Sequence, residues 1–346
     1  MGAQAMEGVG MIRGRFKRAM IAATWLVALS QQAHATDDAS LTPPTDLLVV
    51  VGASGTPEYG EQFSDWVETW RQVSEKAATS MTLIGQSEPS DSSDRDQLKS
   101  AIAAFSVESQ TPLWIVLIGH GTFAQNTAKF NLRGPDLSAT ELAQWIQDAE
   151  RPVVVVNCAS ASGPFINRLS GKNRVIVTAT KSGVEQNYAR FGEFFSQAIA
   201  SPDSDLDHDD EVSVHEAFLR ASTEVRQFYE NAGRISTEHA LIDDNGDGRG
   251  TPATMFRGTR AVGKAKDDAK LDGREASRLT LAPVDARLPF TQAELAQRHE
   301  LEMQLEELRQ RKPSLDDAAY EAELEPLALK LAKLYQAAEQ RQQDPQ

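Results

Sequence analysis

Two reactive side chains, His120 and Cys158, each follow a strongly apolar run of residues in this chain. His120 comes after "LWIVLIG" and precedes Gly121, and Cys158, the single cysteine of the 346 residues, comes after "VVVVN". Strands buried on both faces have such continuous apolar runs, and active sites of open parallel sheets form beyond the carboxyl ends of the strands. Neighbouring strands lie about 4.8 Å apart, so adjacent strand ends would bring an imidazole and a thiol into one crevice. A nucleophile and its general base need this arrangement.

The residues next to this pair indicate the other parts of an acyl-transfer site. The stretch "ASASGP" after Cys158 leads into a predicted helix, whose dipole and free N–H groups are expected to lower the pKa of the thiol. Gly121 allows the backbone to approach a substrate carbonyl, and its N–H and that of Cys158 are expected to form an oxyanion hole. Asn157 is expected to orient the loop. The alternative is a cysteine that only fills the core, beside a histidine without a catalytic role.

The elements that must position these residues alternate along the chain. The predicted strands are 46–53, 81–86, 112–121, 151–159 and 174–180, and the predicted helices are 59–76, 94–107, 139–149, 164–169, 191–200 and 213–231. Strands that are apolar on both faces and separated by helices are typical of a parallel sheet covered on both sides. We therefore predict an α/β three-layer sandwich of the doubly wound kind, with a mainly parallel sheet.

At the two motifs the sequence resembles the caspase-type cysteine peptidases of the legumain branch, which includes the catalytic subunit of GPI transamidase. The signature of that branch is an apolar strand ending in His-Gly and a second ending in Cys, here "IVLIGHG" and "VVVVNCASASG". The resemblance covers residues 46–260 and implies a caspase-like sandwich. It also implies that His120 is the general base, that Cys158 is the nucleophile that forms a thioester, and that no third catalytic carboxylate takes part.

The resemblance continues weakly in "VEQNYARFGEFF", residues 184–195, which is similar to the family segment that lines the primary specificity pocket. It implies that Asn187 and Glu193 bind the substrate residue before the cleaved bond. Two departures exist: Val156 stands where legumains have an acidic residue, and "GASGTPEYGEQF" replaces an Arg-His pair after the first strand. Cleavage after asparagine is therefore not implied. A pocket with Glu193 would accept a basic residue or asparagine; the alternative is an ordinary solvated glutamate at a helix start.

An acidic stretch, "DLDHDDEVSVHE", matches the twelve-residue calcium-loop pattern. Oxygen ligands at alternate positions suit a hard cation, and a glutamate at the twelfth position binds through both oxygens. Asp210 stands where glycine normally makes the sharp turn. We expect a structural calcium ion here, with no cofactor required for catalysis, or else an acidic cluster that caps the following helix. The predicted ligands are Asp205, Asp207, Asp209, Glu211 and Glu216.

A second acidic stretch, "DDNGDGRG", begins at Asp243 and has Asn245 and Asp247 at the same spacing. Its twelfth position is Thr254 and supplies no carboxylate. We expect a turn-rich loop near the active site, with calcium binding as the alternative.

The two ends of the chain differ from its middle. A basic segment, residues 13–18, precedes the apolar run "AMIAATWLVALS" and the small residues of "AHA", which predicts a signal peptide over residues 1–35, or an uncleaved anchor. The protein is then periplasmic or secreted. Residues 261–290 are polar and predict a linker, and residues 291–340 contain two amphipathic patterns. These predict a helical hairpin, or a coiled-coil arm that binds a protein partner.

The formal net charge of −15 argues against a nucleic-acid partner or an anionic membrane after signal removal. The combined features predict an exported cysteine endopeptidase, a thiol protease that acts on polypeptides through a thioester. A transpeptidase or transamidase would use the same residues, with an amine in place of water. The alternatives of another class are an inactive calcium-binding adaptor on a caspase-like scaffold, and an interaction protein whose C-terminal helices bind the partner.

Overall fold

The computed structural model describes residues 45–87, 91–105, 111–209, 211–262, 271–283 and 290–343. The predicted signal peptide, residues 1–35, lies outside these ranges. Among the helices in the described ranges, none is long and apolar enough to cross a membrane.

The described chain contains fourteen strands and eight α-helices. The strands are β1 (Asp46–Val51), β2 (Met81–Ile84), β3 (Leu113–Ile118), β4 (Gly121–Ala124), β5 (Thr127–Phe130), β6 (Leu137–Ser138), β7 (Val153–Asn157), β8 (Arg174–Thr178), β9 (Glu211–Ser213), β10 (Leu241–Asp243), β11 (Thr251–Pro252), β12 (Phe256–Arg257), β13 (Arg260–Ala261) and β14 (Thr280–Pro283). The helices are α1 (Pro57–Lys76), α2 (Asp94–Ala104), α3 (Ala139–Trp145), α4 (Pro164–Leu169), α5 (Phe191–Ala200), α6 (Val214–Asn231), α7 (Gln292–Arg311) and α8 (Asp317–Gln343).

A seven-stranded sheet forms the centre, in the order β11-β10-β8-β7-β3-β1-β2. The five strands from β2 to β8 in this order are parallel, and β10 and β11 are antiparallel additions at one edge. Every residue of β3 and β7 is buried, because helices cover both faces of the sheet. The predicted fold class, α/β with a mainly parallel sheet, is confirmed.

Two helical layers produce this burial. Helices α1, α5 and α6 pack on one face, and α2, α3 and α4 pack on the other. In α1 the buried positions Phe63, Trp66, Val67 and Trp70 recur at helical spacing and form one apolar face. The helix begins where the Thr56 hydroxyl accepts a hydrogen bond from the Tyr59 N–H. This layer brings aromatic side chains to the carboxyl end of the sheet.

A small three-stranded sheet of β4, β5 and β6 follows His120 directly. Gln125 and Asn126 both have positive φ, 50° and 60°, at the two-residue turn between β4 and β5. Such a turn matches the twist of a hairpin. The hairpin therefore fixes the chain on the carboxyl side of His120.

The C-terminal helices α7 and α8 pack against each other through Leu301, Leu334 and Ala338, with Phe290 at the start. These helices agree with the predicted pair. Part of the segment predicted as a linker is folded, since β14 pairs with β9 in an antiparallel ladder. Residues 263–270 and 284–289 of that segment lie outside the described residues.

Candidate active site

The loop that carries His120 contacts the loop that carries Cys158. β3 and β7 are neighbours in parallel register, with Leu117 opposite Asn157, so both loops leave the same edge of the sheet. A Cβ at Gly121 would lie 2.2 Å from the Ser160 carbonyl oxygen, which leaves room only for glycine. The Ser160 hydroxyl also donates to the Gly121 carbonyl over 3.2 Å. The predicted adjacency of the two strand ends is therefore present.

The two side chains also lie on the same face of the sheet. Cys158 belongs to the apolar cluster beneath α1, α5 and α6. The His120 ring packs against aromatic rings of that cluster, with centroid distances of 4.8 Å to Tyr59, 5.3 Å to Phe63 and 5.9 Å to Tyr188. An arrangement with the imidazole and the thiol on opposite faces is therefore excluded.

A backbone carbonyl orients the imidazole. The Nε2 atom of His120 lies 3.1 Å from the carbonyl oxygen of Ser54, which follows β1. A carbonyl oxygen can only accept, so Nε2 carries the proton and donates it to this bond. The other nitrogen, Nδ1, then has the lone pair that a general base needs. The sequence pattern did not indicate Ser54, because a main-chain acceptor does not depend on residue type.

The thiol of Cys158 is in an apolar site, contrary to the sequence expectation. Its residue is 1% exposed, and a Cβ at Gly192 would lie 2.7 Å from the Cys158 Cβ and 2.6 Å from the Trp66 ring. Burial raises the pKa of the Cys158 thiol, and the negative charge of Glu238 raises it further. The predicted lowering was wrong because α4 begins only at Pro164 and has six residues.

The predicted oxyanion hole of Gly121 and Cys158 is only partly present. The Cys158 N–H donates to the Leu117 carbonyl over 3.0 Å and continues the sheet ladder, so it is not free to bind an oxyanion. The Gly121 N–H donates to the Ser160 hydroxyl over 3.4 Å, a long hydrogen bond that a stronger acceptor would replace. Asn157 orients the loop as expected, because its Oδ1 accepts from the Ala159 N–H over 3.1 Å.

The predicted substrate-binding residues lie in the segment between β8 and α5. Asn187 is exposed. Glu193 is half-buried and forms an ion pair with Arg190 at 3.8 Å, so its charge is partly compensated. The Arg190 guanidinium also lies over the Phe228 ring, 4.4 Å from its centroid.

A buried carboxylate, Glu238, lies at the start of α5 and was missed by the sequence analysis. It is 2% exposed and accepts hydrogen bonds from the Arg190 N–H at 2.9 Å, the Phe191 N–H at 3.0 Å and the Tyr229 hydroxyl at 3.1 Å. Burial raises the pKa of the Glu238 carboxyl. Arg190 does not cap the helix with its own side chain. The N-cap position of α5 has no Ser, Thr, Asp or Asn, which could have indicated that a residue distant in the sequence caps this helix.

The predicted calcium loop is partly assembled. Asp205, Asp207 and Asp209 each offer a carboxylate oxygen, and these oxygens lie within 4.8 Å of one another. Glu216 is committed elsewhere: one oxygen accepts from the Ser213 N–H and hydroxyl, and the other accepts from the Leu206 N–H over 2.7 Å. Glu216 therefore acts as the capping-box residue of α6, as in the alternative interpretation of this stretch.

A guanidinium from the C-terminal hairpin reaches the same cluster. Arg298 of α7 is 1% exposed and approaches Asp209 at 3.4 Å, Glu211 at 3.1 Å and Glu302 at 3.5 Å. Burial, with repulsion by Asp207 next, raises the pKa of Asp209 to about 8, and burial raises that of Glu302 to about 7. The sequence pattern did not predict this contact between α7 and the acidic loop.

The second acidic loop lies at the opposite end of the sheet from Cys158. The Gly248 N–H donates to the hydroxyl of Ser170, which precedes β8, so the expected position near the active site was wrong. Asp243 is buried, and its Oδ1 accepts from the Gly246 N–H over 3.2 Å. Asp272, from the segment predicted as a linker, accepts from the Asn245 N–H over 3.2 Å.

Comparisons with known proteins give a distant structural likeness. No family model matches the chain, and no curated protein matches it. The solved structure of the Drosophila initiator caspase Dronc is similar, with a TM-score of 0.38 and 14% identity, over 70% of this chain and 94% of that chain. Caspase-1 from Spodoptera frugiperda gives a TM-score of 0.37 and 8% identity, over 59% and 88%. Raptor from Chaetomium thermophilum gives 0.32 and 11%, over 57% and 20%. The chain is thus distantly similar in structure to caspases.

Proposed function

We propose that the protein is a cysteine endopeptidase in which Cys158 is the nucleophile and His120 is the general base. The observation that carries this proposal is the contact between their two loops, at Gly121 and Ser160, with both side chains on one face of the sheet. The Ser54 carbonyl supports it further, because it fixes the tautomer in which Nδ1 can accept a proton.

The buried thiol determines the order of events in the proposed reaction. Because Cys158 is neutral, its proton passes to His120 Nδ1 as Sγ attacks the substrate carbonyl carbon. The Gly121 N–H donates a hydrogen bond to the substrate carbonyl oxygen as that oxygen becomes negatively charged. The C–N bond then breaks, the leaving amine takes the proton from the imidazolium, and a thioester remains on Cys158. Water, deprotonated by His120, attacks the thioester and releases the acid and the free thiol.

The finer assignments are proposals of the same kind. The resemblance of the two motifs supports the legumain branch, with a polypeptide as the substrate. The predicted signal peptide over residues 1–35 supports an exported, periplasmic or secreted, location. Asn187 and Glu193 are proposed to contact the substrate residue before the cleaved bond. The ion pair between Glu193 and Arg190 favours a polar rather than a strongly cationic substrate residue, because the carboxylate is already partly neutralised.

A second candidate function is a calcium-binding adaptor without peptidase activity. The observation that favours it is the burial of Cys158, whose apolar surroundings keep the thiol protonated. A transpeptidase shares every residue of the first proposal and differs only in the acceptor, an amine in place of water.

The test is a cleavage profile of the full purified chain on a peptide library, read by mass spectrometry. We expect cleavage by the wild type and its loss in Cys158→Ala and His120→Ala. His239→Ala is the matched control, because His239 is an exposed histidine paired with Glu185. Cleavage retained by Cys158→Ala would refute the peptidase proposal. No cleavage by the wild type, with no labelling of Cys158 by iodoacetamide, would favour the adaptor. Added amines that appear in the products would identify a transpeptidase.

A further inference from the structure

We propose that Glu238 is a positioning residue that sets the places of both His120 and Cys158 through the start of α5. This inference rests on the proposed peptidase function for its effect on turnover. Its structural part concerns the thiol itself and can be measured without turnover.

The first step is the attachment of the segment 188–192 to Glu238. Both carboxylate oxygens lie 2.9 Å from the Arg190 nitrogen, and one also accepts from the Phe191 N–H. These are the orphan donors of the first turn of α5, which the helix itself cannot satisfy. A charged acceptor with several N–H donors makes stronger hydrogen bonds than a neutral one. Glu238 therefore fixes where α5 begins.

The second step is the contact of this segment with the two reactive side chains. Tyr188, at one end, packs its ring on His120 and on Tyr59, with centroid distances of 5.9 Å and 4.6 Å. Gly192, at the other end, packs on Cys158 so closely that any side chain there would collide with the Cys158 Cβ. The segment 188–192, held by Glu238, thus contacts both the imidazole of His120 and the side chain of Cys158.

Glu238 also places a negative charge near Cys158. Its carboxylate raises the pKa of the Cys158 thiol, after the larger contribution of burial. The groups that face Glu238 are the Arg190 guanidinium, which opposes this charge, the Tyr229 hydroxyl, which donates to it, and the Tyr188 hydroxyl. Position and charge are separable, because aspartate keeps the charge on a shorter side chain, whereas glutamine keeps the length without the charge.

The experiment compares Glu238→Gln and Glu238→Asp in the full chain. The first readout is the pH profile of iodoacetamide alkylation of Cys158 under native conditions, and the second is kcat and KM on a cleaved peptide. We expect Glu238→Gln to raise the alkylation rate of Cys158 about tenfold at every pH between 7 and 9, since a nearby negative charge is removed. We expect Glu238→Asp to keep the wild-type profile and to lower kcat at least about tenfold, with KM changed less, because the segment 188–192 shifts.

Glu230→Gln is the matched control, since Glu230 is exposed on α6 and pairs with Arg226. It should change neither readout. An unchanged alkylation profile in Glu238→Gln, or an unchanged kcat in Glu238→Asp, would overturn the proposal. If Glu238→Gln does not fold, as judged by its thermal melt, the Glu238→Asp result decides alone. If Cys158→Ala still cleaves peptides, the peptidase proposal fails, while the shift in the alkylation profile still tests the role of Glu238.

Discussion

The surroundings of the functional side chains differ between the two ends of the central sheet, since one end is apolar and the other is highly charged. At the carboxyl end, His120 and Cys158 lie among aromatic rings, and the thiol is neutral and buried. At the other end, the acidic cluster of residues 205–216 gathers carboxylates around a single buried guanidinium, Arg298. Helix α5 joins the two, because it starts beside Cys158 and ends where the acidic loop begins, about 15 Å away.

This difference indicates that the carboxyl end of the sheet is suited to a reaction, whereas the acidic cluster holds the C-terminal helices in place. At the carboxyl end the Cys158 thiol is uncharged, so in the proposed reaction its reactivity depends on proton transfer to His120. The acidic end carries more negative charge than Arg298 can balance, so its stability depends on a cation. Because that cation belongs to α7, the acidic loop also anchors the C-terminal hairpin. Changes at one end should therefore affect catalysis, and changes at the other should affect stability.

The largest expected effect is on turnover at the carboxyl end. If the proposed peptidase function is correct, Cys158→Ala and His120→Ala should each lower kcat/KM by at least about 10³-fold, because the proposed nucleophile or its proposed base is lost. The stability cost of Cys158→Ala should be only about 1 kcal/mol, since a small side chain leaves a small cavity. Urea unfolding checks the second part. A large loss of stability in Cys158→Ala, together with little loss of activity, would contradict this prediction.

The next effect is on stability at the acidic end. Arg298→Met should lower the free energy of unfolding by about 3 kcal/mol, because it leaves buried carboxylates without their cation. Peptidase activity should be retained. The exposed Lys330 of α8 gives the control, Lys330→Met, with a change below about 0.5 kcal/mol.

The pH dependence of Arg298→Met follows from the sign of the carboxyl shifts. The folded pKa values of Asp209, about 8, and Glu302, about 7, lie above their ordinary values, so these groups favour the folded state when protonated. Their contribution is present at low pH and is lost as the pH rises from about 4 to 8. Removal of the guanidinium should therefore lower the melting temperature more at pH 8 than at pH 5. An equal loss at both pH values would show that Arg298 acts only by packing.

A third effect concerns the reactivity of the thiol. Because the pKa of Cys158 lies above its ordinary value, alkylation by iodoacetamide at pH 7 should be at least about tenfold slower than that of a free cysteine. The rate should rise about tenfold per pH unit up to pH 9 without a plateau. Stopped alkylation samples analysed by mass spectrometry give the profile. A plateau below pH 8 would show that the thiol pKa is lowered, as the sequence predicted, and that Cys158 is a thiolate near neutral pH.

The sequence predicted the parts of this comparison that depend on local pattern. Valine-rich runs predict strands buried on both faces, and the ends of those strands fix where His120 and Cys158 lie. The state of the thiol could not be predicted, because it depends on Gly192, whose neighbours come from two other elements. The cation of the acidic loop was missed for a similar reason, since Arg298 and Asp209 are 89 positions apart. Residue type therefore predicts which residues are candidates for the site, whereas tertiary packing determines the protonation state of each.

The smallest expected effect is that of calcium, whose binding to the acidic loop stays a prediction. The oxygens of Asp205, Asp207 and Asp209 lie close enough together to share one hard cation, but Arg298 already compensates part of their charge. Millimolar CaCl2 at pH 7.5 should therefore raise the melting temperature by only a few degrees, and EGTA should reverse the rise.

Asp207→Asn tests the calcium prediction better than a change at Glu216, because Glu216 caps α6 and its loss would destabilise the protein by itself. We expect Asp207→Asn to remove most of the calcium effect. In Arg298→Met the effect should be larger than in the wild type, since calcium would replace the missing positive charge. Equal calcium effects in the wild type and in Arg298→Met would mean that the ion and the guanidinium do not share the cluster. The second acidic loop, tested with Asp247→Asn, would then be the place to look for the bound ion.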